Sequence, residues 1–247
     1  DIYTHHLAGI ALTDNQQQKL AIGMTGNEGL TVRTLNYSSV GSYSAMQIQG
    51  NRLYAVTNQG VKVVDITNPA APTLLGTIST PFIGEVDDPS LEVSGNFAYL
   101  TLTNQRLLVL DISNPNTSTP NYFVMTIPGT TVWRAMALRN HTLFLGGYGS
   151  VLGDPTLFVI DVSNPFAPQL LHSSAVGSYI DDLAMQGRYL YIANRTQGLR
   201  IYDVQNPTAP ISVGQYTSAG ESMYLVRLQG NQAVLLSTGS GLPDFMK

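Results

Sequence analysis

One short segment recurs through this chain and sets the spacing of everything between its copies. It reads VVDITNPAAPTLLG at 63–76, and its later copies read VLDISNPNTSTPNYF, VIDVSNPFAPQLLH and IYDVQNPTAPISVG. Each copy contains one aspartate, and these lie 46, 50 and 42 residues apart: Asp65, Asp111, Asp161 and Asp203. A period of this length is typical of one four-stranded propeller blade rather than of a helical or leucine-rich repeat.

The pattern within each period predicts four β-strands. Short runs of alternating or β-branched apolar residues end at Gly, Asn, Asp or Pro, and no apolar pattern of helical period and length occurs. The first two strands of each period form a hairpin whose turn favours a residue that tolerates positive φ. That position is occupied by Gly50, Gly95, Asn140, Gly187 and Gly230.

The third strand of each period ends at an Asp-x-x-Asn-Pro sequence. Asp can accept a hydrogen bond from the backbone two residues on, and Pro has no donor for a strand ladder, so the strand must stop there. We therefore interpret the four aspartates as turn residues rather than metal ligands. The second strands carry an aromatic residue that we expect to pack between neighbouring blades. These residues are Tyr54, Tyr99, Phe144 and Tyr191.

The two ends of the chain supply the first and the last of the predicted blades. Residues 9–42 read as a degenerate blade without the Asp-x-x-Asn-Pro sequence, and the C-terminal stretch supplies two clear strands and a third at GLPDFMK. Residues 1–6 would then add the missing fourth strand, a three-plus-one clasp that removes exposed sheet edges. The sequence thus predicts an all-β, six-bladed β-propeller of four-stranded antiparallel blades, closed by its N-terminal strand. The single domain spans 1–247, with blades at about 9–42, 43–86, 87–130, 131–178, 179–220, and 221–247 plus 1–8.

The repeated segment resembles that of the LVIVD-repeat family of β-propellers, whose pattern is G-L-x-[IV]-x-D-[VI]-S-N-P-x-x-P. The matching stretches are GLRIYDVQNPTAP at 198–210, GVKVVDITNPAAP at 60–72 and TLFVIDVSNPFAP at 156–168. RLLVLDISNPNTSTP at 106–120 matches less well, and the first blade does not match. The resemblance implies the propeller fold and a bacterial or archaeal surface or exported protein, without implying an activity.

The composition excludes some classes of binding partner and indicates where the protein is located. Charged residues make up 11% of the chain and the net charge is -4, so there is no basic surface to bind nucleic acid or anionic lipid. There is no cysteine for a disulfide or thiolate metal site. No apolar run approaches the roughly 20 residues that span a bilayer. We expect an extracellular or cell-surface location without membrane insertion, and leave open whether this is part of a larger surface protein.

The residues just before each first strand are the candidate site. In a propeller they surround one mouth of the central channel, and here the repeats differ most and the scarce charges gather. Aromatic side chains at the mouth would supply stacking surface, and Arg134 with its acidic neighbours would supply polar contacts. The candidate ligand-binding residues are Tyr43, Asp88, Trp133, Arg134, Asp181, Asp182, Glu221 and Tyr224.

Two functions stay open at this point. The first is a non-catalytic binding or scaffold module of an exported or cell-surface protein, holding a protein or glycan at the mouth or at a blade-loop face. The alternative is a hydrolase or lyase with an acid pair, Asp181–Asp182 or Asp87–Asp88, Arg134 as an anion clamp and His6 as base. Adjacent aspartates on one strand point to opposite faces, which counts against such a pair.

The sequence assigns no catalytic residue and no metal ligand. It contains none of the short motifs of the common hydrolases, metalloproteases or nucleotide-binding proteins. We expect no cofactor; the open alternative is a structural Ca²⁺ or Mg²⁺ in the channel, held by carboxylates and carbonyls.

Overall fold

The computed structural model describes residues 7–14, 17–26, 29–36, 43–57, 59–68, 70–82, 90–127, 132–148 and 155–239. Throughout these ranges the regular structure is β-strand, and the first three strands are described by their backbone pairing. No helix with the length and hydropathy needed to cross a membrane occurs in these ranges. The all-β prediction is therefore confirmed.

The strands group into six consecutive sheets. The first sheet contains β1 (Leu7–Asp14), β2 (Gln17–Gly26) and β3 (Gly29–Asn36). The second contains β4 (Tyr43–Gln49), β5 (Arg52–Thr57), β6 (Gly60–Asp65) and β7 (Thr73–Ile78). The third contains β8 (Leu91–Ser94), β9 (Phe97–Leu102), β10 (Arg106–Asp111) and β11 (Tyr122–Thr126). The fourth contains β12 (Val132–Arg139), β13 (Thr142–Tyr148), β14 (Pro155–Asp161) and β15 (Gln169–Ala175). The fifth contains β16 (Asp182–Gln186), β17 (Tyr189–Ala193), β18 (Leu199–Asp203) and β19 (Ile211–Tyr216). The last contains β20 (Glu221–Gln229) and β21 (Gln232–Gly239).

Each sheet is a simple meander in which consecutive strands pair in chain order. Four consecutive sheets have four strands each, as the period predicts. Neighbouring strands pair antiparallel, as in β5–β6, β13–β14 and β17–β18. Other predicted strands fall outside the described residues. They are the closing strand at 1–6, the last strand at 241–247 and most of the fourth strand of the first blade.

The hairpin position behaves as the sequence predicts. Its φ is 59° at Gly50, 59° at Gly95, 53° at Asn140, 57° at Gly187 and 55° at Gly230. A Cβ added to any of the four glycines would meet no atom within 4 Å. The position therefore requires a left-handed backbone and not a small side chain, which explains why Asn can replace Gly there.

The Asp-x-x-Asn-Pro sequences form two successive side-chain-to-backbone turns. In the second sheet the Thr67 N–H donates to Asp65 Oδ1 at 2.8 Å, and the Ala70 N–H donates to Asn68 Oδ1 at 3.1 Å. The Ile66 N–H also reaches back to the hairpin at Asn51 O, 2.9 Å away. The other three aspartates accept the same bond from the residue two positions on: Asp111 from Ser113, Asp161 from Ser163 and Asp203 from Gln205. The turn interpretation of these aspartates is confirmed.

By its contacts the chain forms two compact units, residues 1–99 with 110–122 and residues 100–109 with 123–247. In the first unit β4 lies beside both β1 and β8. In the second unit β16 lies beside both β12 and β20. The first strands of successive sheets are thus neighbours within each unit.

Apolar side chains fill the space between sheets in the second unit. Phe144, Leu157 and Ile192 belong to a buried cluster shared by the fourth and fifth sheets. Tyr191 packs against a second cluster, shared by the fifth and last sheets, which includes Met223. Phe144 and Tyr191 therefore pack between sheets as predicted, and Tyr54 and Tyr99 are buried.

Candidate ligand-binding site

The first strands of three sheets begin with a β-bulge at the position that the sequence marks as the mouth. In β12, Trp133 is opposite Gly147 and Ala135 is opposite Gly146, so Arg134 is the extra residue. The bulges of β4 and β20 fall at Ser44 and Tyr224 in the same way. A bulge re-aims a side chain at the end of a strand, so these positions are set apart from the regular ladder.

Asp181 stands at the centre of a charged group at this end of the sheets. It immediately precedes β16, and its N–H donates to Ala193 O at 3.0 Å. Arg195 donates two hydrogen bonds to the carboxylate, from Nε to Oδ2 at 2.5 Å and from Nη2 to Oδ1 at 3.1 Å. Arg134 Nη1 lies 3.7 Å from Asp181 Oδ1. The Asp181 side chain is 8% exposed and that of Arg134 35%, so a nearly buried carboxylate is held by two guanidinium groups.

Arg195, which the sequence did not identify, completes this group. It lies in the turn between β17 and β18 with φ of 41°, a left-handed conformation that is uncommon for a residue other than glycine. Its backbone N–H donates to Met223 O at 3.0 Å, and its carbonyl accepts from the Met223 N–H at 3.1 Å. These two bonds fasten the turn to β20 and hold the side chain in place.

Two tyrosine rings flank the Arg195 guanidinium. Its central carbon is 4.5 Å from the centroid of the Tyr179 ring and 5.5 Å from that of Tyr224. The hydrogen bond to Asp181 raises the pKa of Arg195, so the guanidinium stays protonated. We call Asp181, Arg195, Arg134, Tyr179 and Tyr224 the Asp181 cluster.

Asp182 has different partners from its neighbour. Its Oδ2 accepts from the Val226 N–H at 2.8 Å and from Arg227 Nη1, both on β20. Burial raises the pKa of Asp182, an effect that the positive charge of Arg227 opposes. The two adjacent carboxylates diverge, as the alternation of side chains along a strand predicts. Asp182 therefore joins the fifth sheet to the last and does not face Asp181.

Trp133 differs from its expected role. Only 6% of the residue is exposed, and its ring packs edge-on against Phe158 with centroids 5.7 Å apart. A ring this large gains most by filling space between apolar neighbours, so it packs in the core instead of offering a stacking face to a ligand. Its Nε1 donor is buried and has no hydrogen-bond partner in the described part of the chain.

The other candidate residues fall in separate places. Tyr224 belongs to the Asp181 cluster, whereas Glu221 accepts a hydrogen bond from Ser237 Oγ at 3.0 Å within the last sheet. Tyr43 is described only by its backbone, opposite Thr57. Asp88 lies outside the described residues, and so do Asp87 and His6 of the alternative catalytic site.

Uncharged polar groups surround the Asp181 cluster. Asn194 is fully buried, and its Nδ2 donates to Ser178 O at 2.5 Å and to Tyr179 O at 3.2 Å, which fixes the loop before β16. Ser178 Oγ and Thr196 Oγ1 are 3.3 Å apart. Within the described ranges, Asn194 Oδ1 has no hydrogen-bond partner. Hydroxyl and amide groups thus lie beside the charged ones, and most of them are paired within the protein.

The described residues contain no group of three or more His, Cys, Asp or Glu residues that could hold a metal ion. The Asp181 cluster instead combines one carboxylate, two guanidinium groups and two aromatic rings. Such a set can orient a ligand by charge, hydrogen bonds and ring contact.

The consecutive four-stranded antiparallel sheets define a protein of the β-propeller class. Many solved structures share this fold, among them the following two. The WD40 domain of Neurospora crassa Pan2 is 12% identical over 93% of this chain and 71% of that one, with a TM-score of 0.61. A chain from the crystal structure of the mitotic checkpoint complex is 12% identical over 95% of this chain and 72% of that one, with a TM-score of 0.60. At this identity the likeness shows the fold alone.

The family follows from the repeats themselves. The LVIVD repeat profile matches residues 41–80, 86–123, 145–175 and 177–218, together more than half of the chain. The protein belongs to the LVIVD repeat family. Among curated proteins, none matches this sequence significantly.

Proposed function

We propose that the protein is a non-catalytic binding module that holds a protein or glycan partner at the Asp181 cluster. The observation that carries this proposal is the nearly buried Asp181 carboxylate, held by arginines from two different sheets and flanked by two tyrosine rings. Preorganised polar groups beside aromatic surface are the usual composition of a recognition site.

The contrast with the recurring contacts supports a role beyond holding the frame. Contacts that stabilise the repeats appear in more than one sheet, such as Gln49 Nε2 donating to Gly95 O and Gln186 Nε2 donating to Gly230 O. The Asp181 cluster uses three of the chain's scarce charges, and its contacts join side chains of the fourth and fifth sheets.

For the hydrolase or lyase alternative, only the Asp181–Asp182 pair lies within the described residues; Asp87, Asp88 and His6 lie outside them. A catalytic acid pair needs two carboxyl groups that converge on one reacting bond. Asp181 binds Arg195, and Asp182 binds groups of β20, so these two carboxylates do not share a site. We therefore place the binding function ahead of the hydrolase or lyase alternative.

We also propose that the sheets form a six-bladed propeller whose last blade is completed by residues 1–6. The exposed apolar side chains of the last sheet support this closure. Val234 on β21 is 52% exposed, whereas the corresponding second strands β5 and β9 of complete sheets are mostly buried, as expected if the last sheet lacks its outer strands. Deleting residues 1–6 should lower the melting temperature of the whole protein in one cooperative transition. An unchanged melting curve would contradict this closure.

For location, we propose an exported or cell-surface protein, which the low charge and the Tyr-, Thr- and Asn-rich composition support. Protease treatment of intact cells of the source organism, followed by immunoblotting, tests it. Digestion of the protein in intact cells is the expected result, and full protection with digestion only after lysis would contradict it.

The site is tested with Arg134→Ala and a matched control, Arg139→Ala, at the other end of the same strand. Purified wild-type and variant proteins are applied to a glycan array and to immobilised surface proteins, and their melting temperatures are measured in parallel. We expect Arg134→Ala to lose the partners that the wild type binds, with its melting temperature nearly unchanged, and Arg139→Ala to keep them. Binding by both variants at wild-type strength would refute a site at the Asp181 cluster.

A further inference from the structure

A carboxamide and a carboxyl group connect the first strands of the second and third sheets. Gln47 on β4 donates from Nε2 to Glu92 Oε2 on β8 at 2.8 Å, and the two residues are 45 positions apart in the chain. The two strands are neighbours within the first unit. This hydrogen bond therefore links one sheet to the next.

The pair is not part of the repeated frame. Gln47 and Glu92 each lie three residues before the hairpin position of their own sheet. In the fourth and fifth sheets the same place is occupied by Ala137 and Ala184. A sheet of this protein can therefore form without a polar side chain there, and the pair is a special feature of the second and third sheets.

The second polar atom of the Gln47 amide indicates which form of Glu92 fits the contact. Gln47 Oε1 is buried, and it has no hydrogen-bond partner among the residues that the structure describes. A buried acceptor without a donor is destabilising. An ionised carboxylate has no hydrogen to donate, whereas a protonated carboxyl group has one O–H. A carboxyl group and a carboxamide each present one donor and one acceptor, so protonated Glu92 is complementary to both atoms of the Gln47 amide.

The charges around Glu92 do not favour its ionised form. On the strands beside β8 in the first unit, the ionisable residues are Tyr43 of β4 and Tyr99 of β9, and β8 itself has no other. A tyrosine is uncharged at neutral pH, and burial raises the pKa of Tyr99 further. Burial also raises the pKa of Glu92 to about 7, and the hydrogen bond from Gln47 offsets this only in part.

We propose that Glu92 and Gln47 form a proton-dependent joint between the second and third sheets, in which protonated Glu92 donates to Gln47 Oε1 and accepts from Gln47 Nε2. When Glu92 loses its proton to the solvent, the O–H···O bond is broken. The carboxylate oxygen and Gln47 Oε1 then remain as two acceptors with no hydrogen between them, which loosens the contact of β4 with β8. The inference does not depend on the proposed binding function, so either can fail without the other.

The direction of the pH response follows from the two states of Glu92. Its pKa in the folded protein, about 7, lies above the unfolded value of 4.5, so the joint is closed at acid pH and opens as the pH rises through about 7. Glu92→Gln places a second carboxamide opposite Gln47 and keeps a donor and an acceptor at every pH, so it serves as the reference. The matched control is Glu221→Gln, because Glu221 accepts its hydrogen bond from Ser237 within the last sheet.

The first measurement is an NMR titration of the wild-type protein labelled with ¹³C at the glutamate carboxyl groups. The chain has four glutamates, so the signal of Glu92 can be resolved and assigned through its backbone connectivity. We expect a midpoint near pH 7 for Glu92. A midpoint near the ordinary value of 4.5 would overturn the proposal, and so would a midpoint that falls when Ca²⁺ is added, since the pair would then be a cation site. This titration uses the wild-type protein and decides the question even if a variant does not fold.

The second measurement is backbone hydrogen exchange of β4 and β8 at several pH values. Relative to Glu92→Gln, the opening constant of these strands in the wild type should rise on the order of 100-fold between about pH 5 and about pH 8. Glu221→Gln should show the same rise as the wild type. A ratio of wild type to Glu92→Gln that does not change with pH would show that the proton of Glu92 does not hold the two sheets together, and the joint would be refuted.

Discussion

Gly76 on β7 tests how successive sheets pack against each other. A Cβ at this position would lie 2.2 Å from Pro115 O and 2.3 Å from Asn116 Oδ1, in the Asn-Pro turn of the third sheet. The first of these atoms belongs to the backbone, which cannot swing aside as a side chain can. Replacing Gly76 by Ala therefore forces the β7 strand and the turn apart.

The expected cost follows from two opposing effects. Overpacking a close contact costs about 1–3 kcal/mol, and a clash with backbone lies in the upper part of that range. The lower chain entropy of the unfolded Ala variant offsets about 0.4–1 kcal/mol. We expect a net loss of about 2 kcal/mol for Gly76→Ala, which corresponds to a fall in melting temperature of about 4–8 °C in a protein of this size.

Gly214 on β19 is the matched control. It lies eleven residues after Asp203, just as Gly76 lies eleven residues after Asp65. The three atoms nearest to a Cβ at Gly214 would all belong to Ile201, at 3.4 Å or more, which is ordinary contact. We expect Gly214→Ala to be neutral or to stabilise the protein by about 0.5 kcal/mol.

Urea denaturation at 25 °C measures both variants. Midpoints at an unchanged m-value give the difference in the free energy of unfolding. Equal midpoints for Gly76→Ala and Gly214→Ala would refute the packing of the Asn-Pro turn on β7. A larger loss in Gly214→Ala would refute it as well.

Two further predictions concern single carboxylates. Burial raises the pKa of Glu92 to about 7, partly offset by the hydrogen bond from Gln47. The folded protein thus favours the protonated carboxyl group. The contribution of Glu92 to the free energy of unfolding is therefore greatest below the unfolded pKa of 4.5 and is lost as the pH rises through about 7. Relative to Glu92→Gln, the wild type should lose about 3 kcal/mol over that interval, measured by urea denaturation at several pH values; parallel curves would contradict this. At Asp161, replacement by Asn should keep the turn and replacement by Ala should cost about 1 kcal/mol, whereas equal losses in thermal unfolding would argue against a turn role.

The sequence by itself determined the frame of this protein, because the frame rests on local chemistry. A positive φ favours Gly or Asn at the hairpin position, Asp accepts a bond from two residues on, and Pro ends a strand ladder. Each of these effects acts within a few residues, so Gly187 or Asp161 can be assigned a role from its neighbours in the chain alone.

Only the tertiary structure decided the composition of the site. The bulge at Arg134 and the left-handed turn at Arg195 set the directions of side chains that lie far apart in the chain, and Asp181 meets both. The same packing places Trp133 in the core, although it is next to Arg134 in the sequence and was assigned to the same candidate site. Which side chains meet across neighbouring sheets depends on how those sheets pack, and no local propensity encodes that contact.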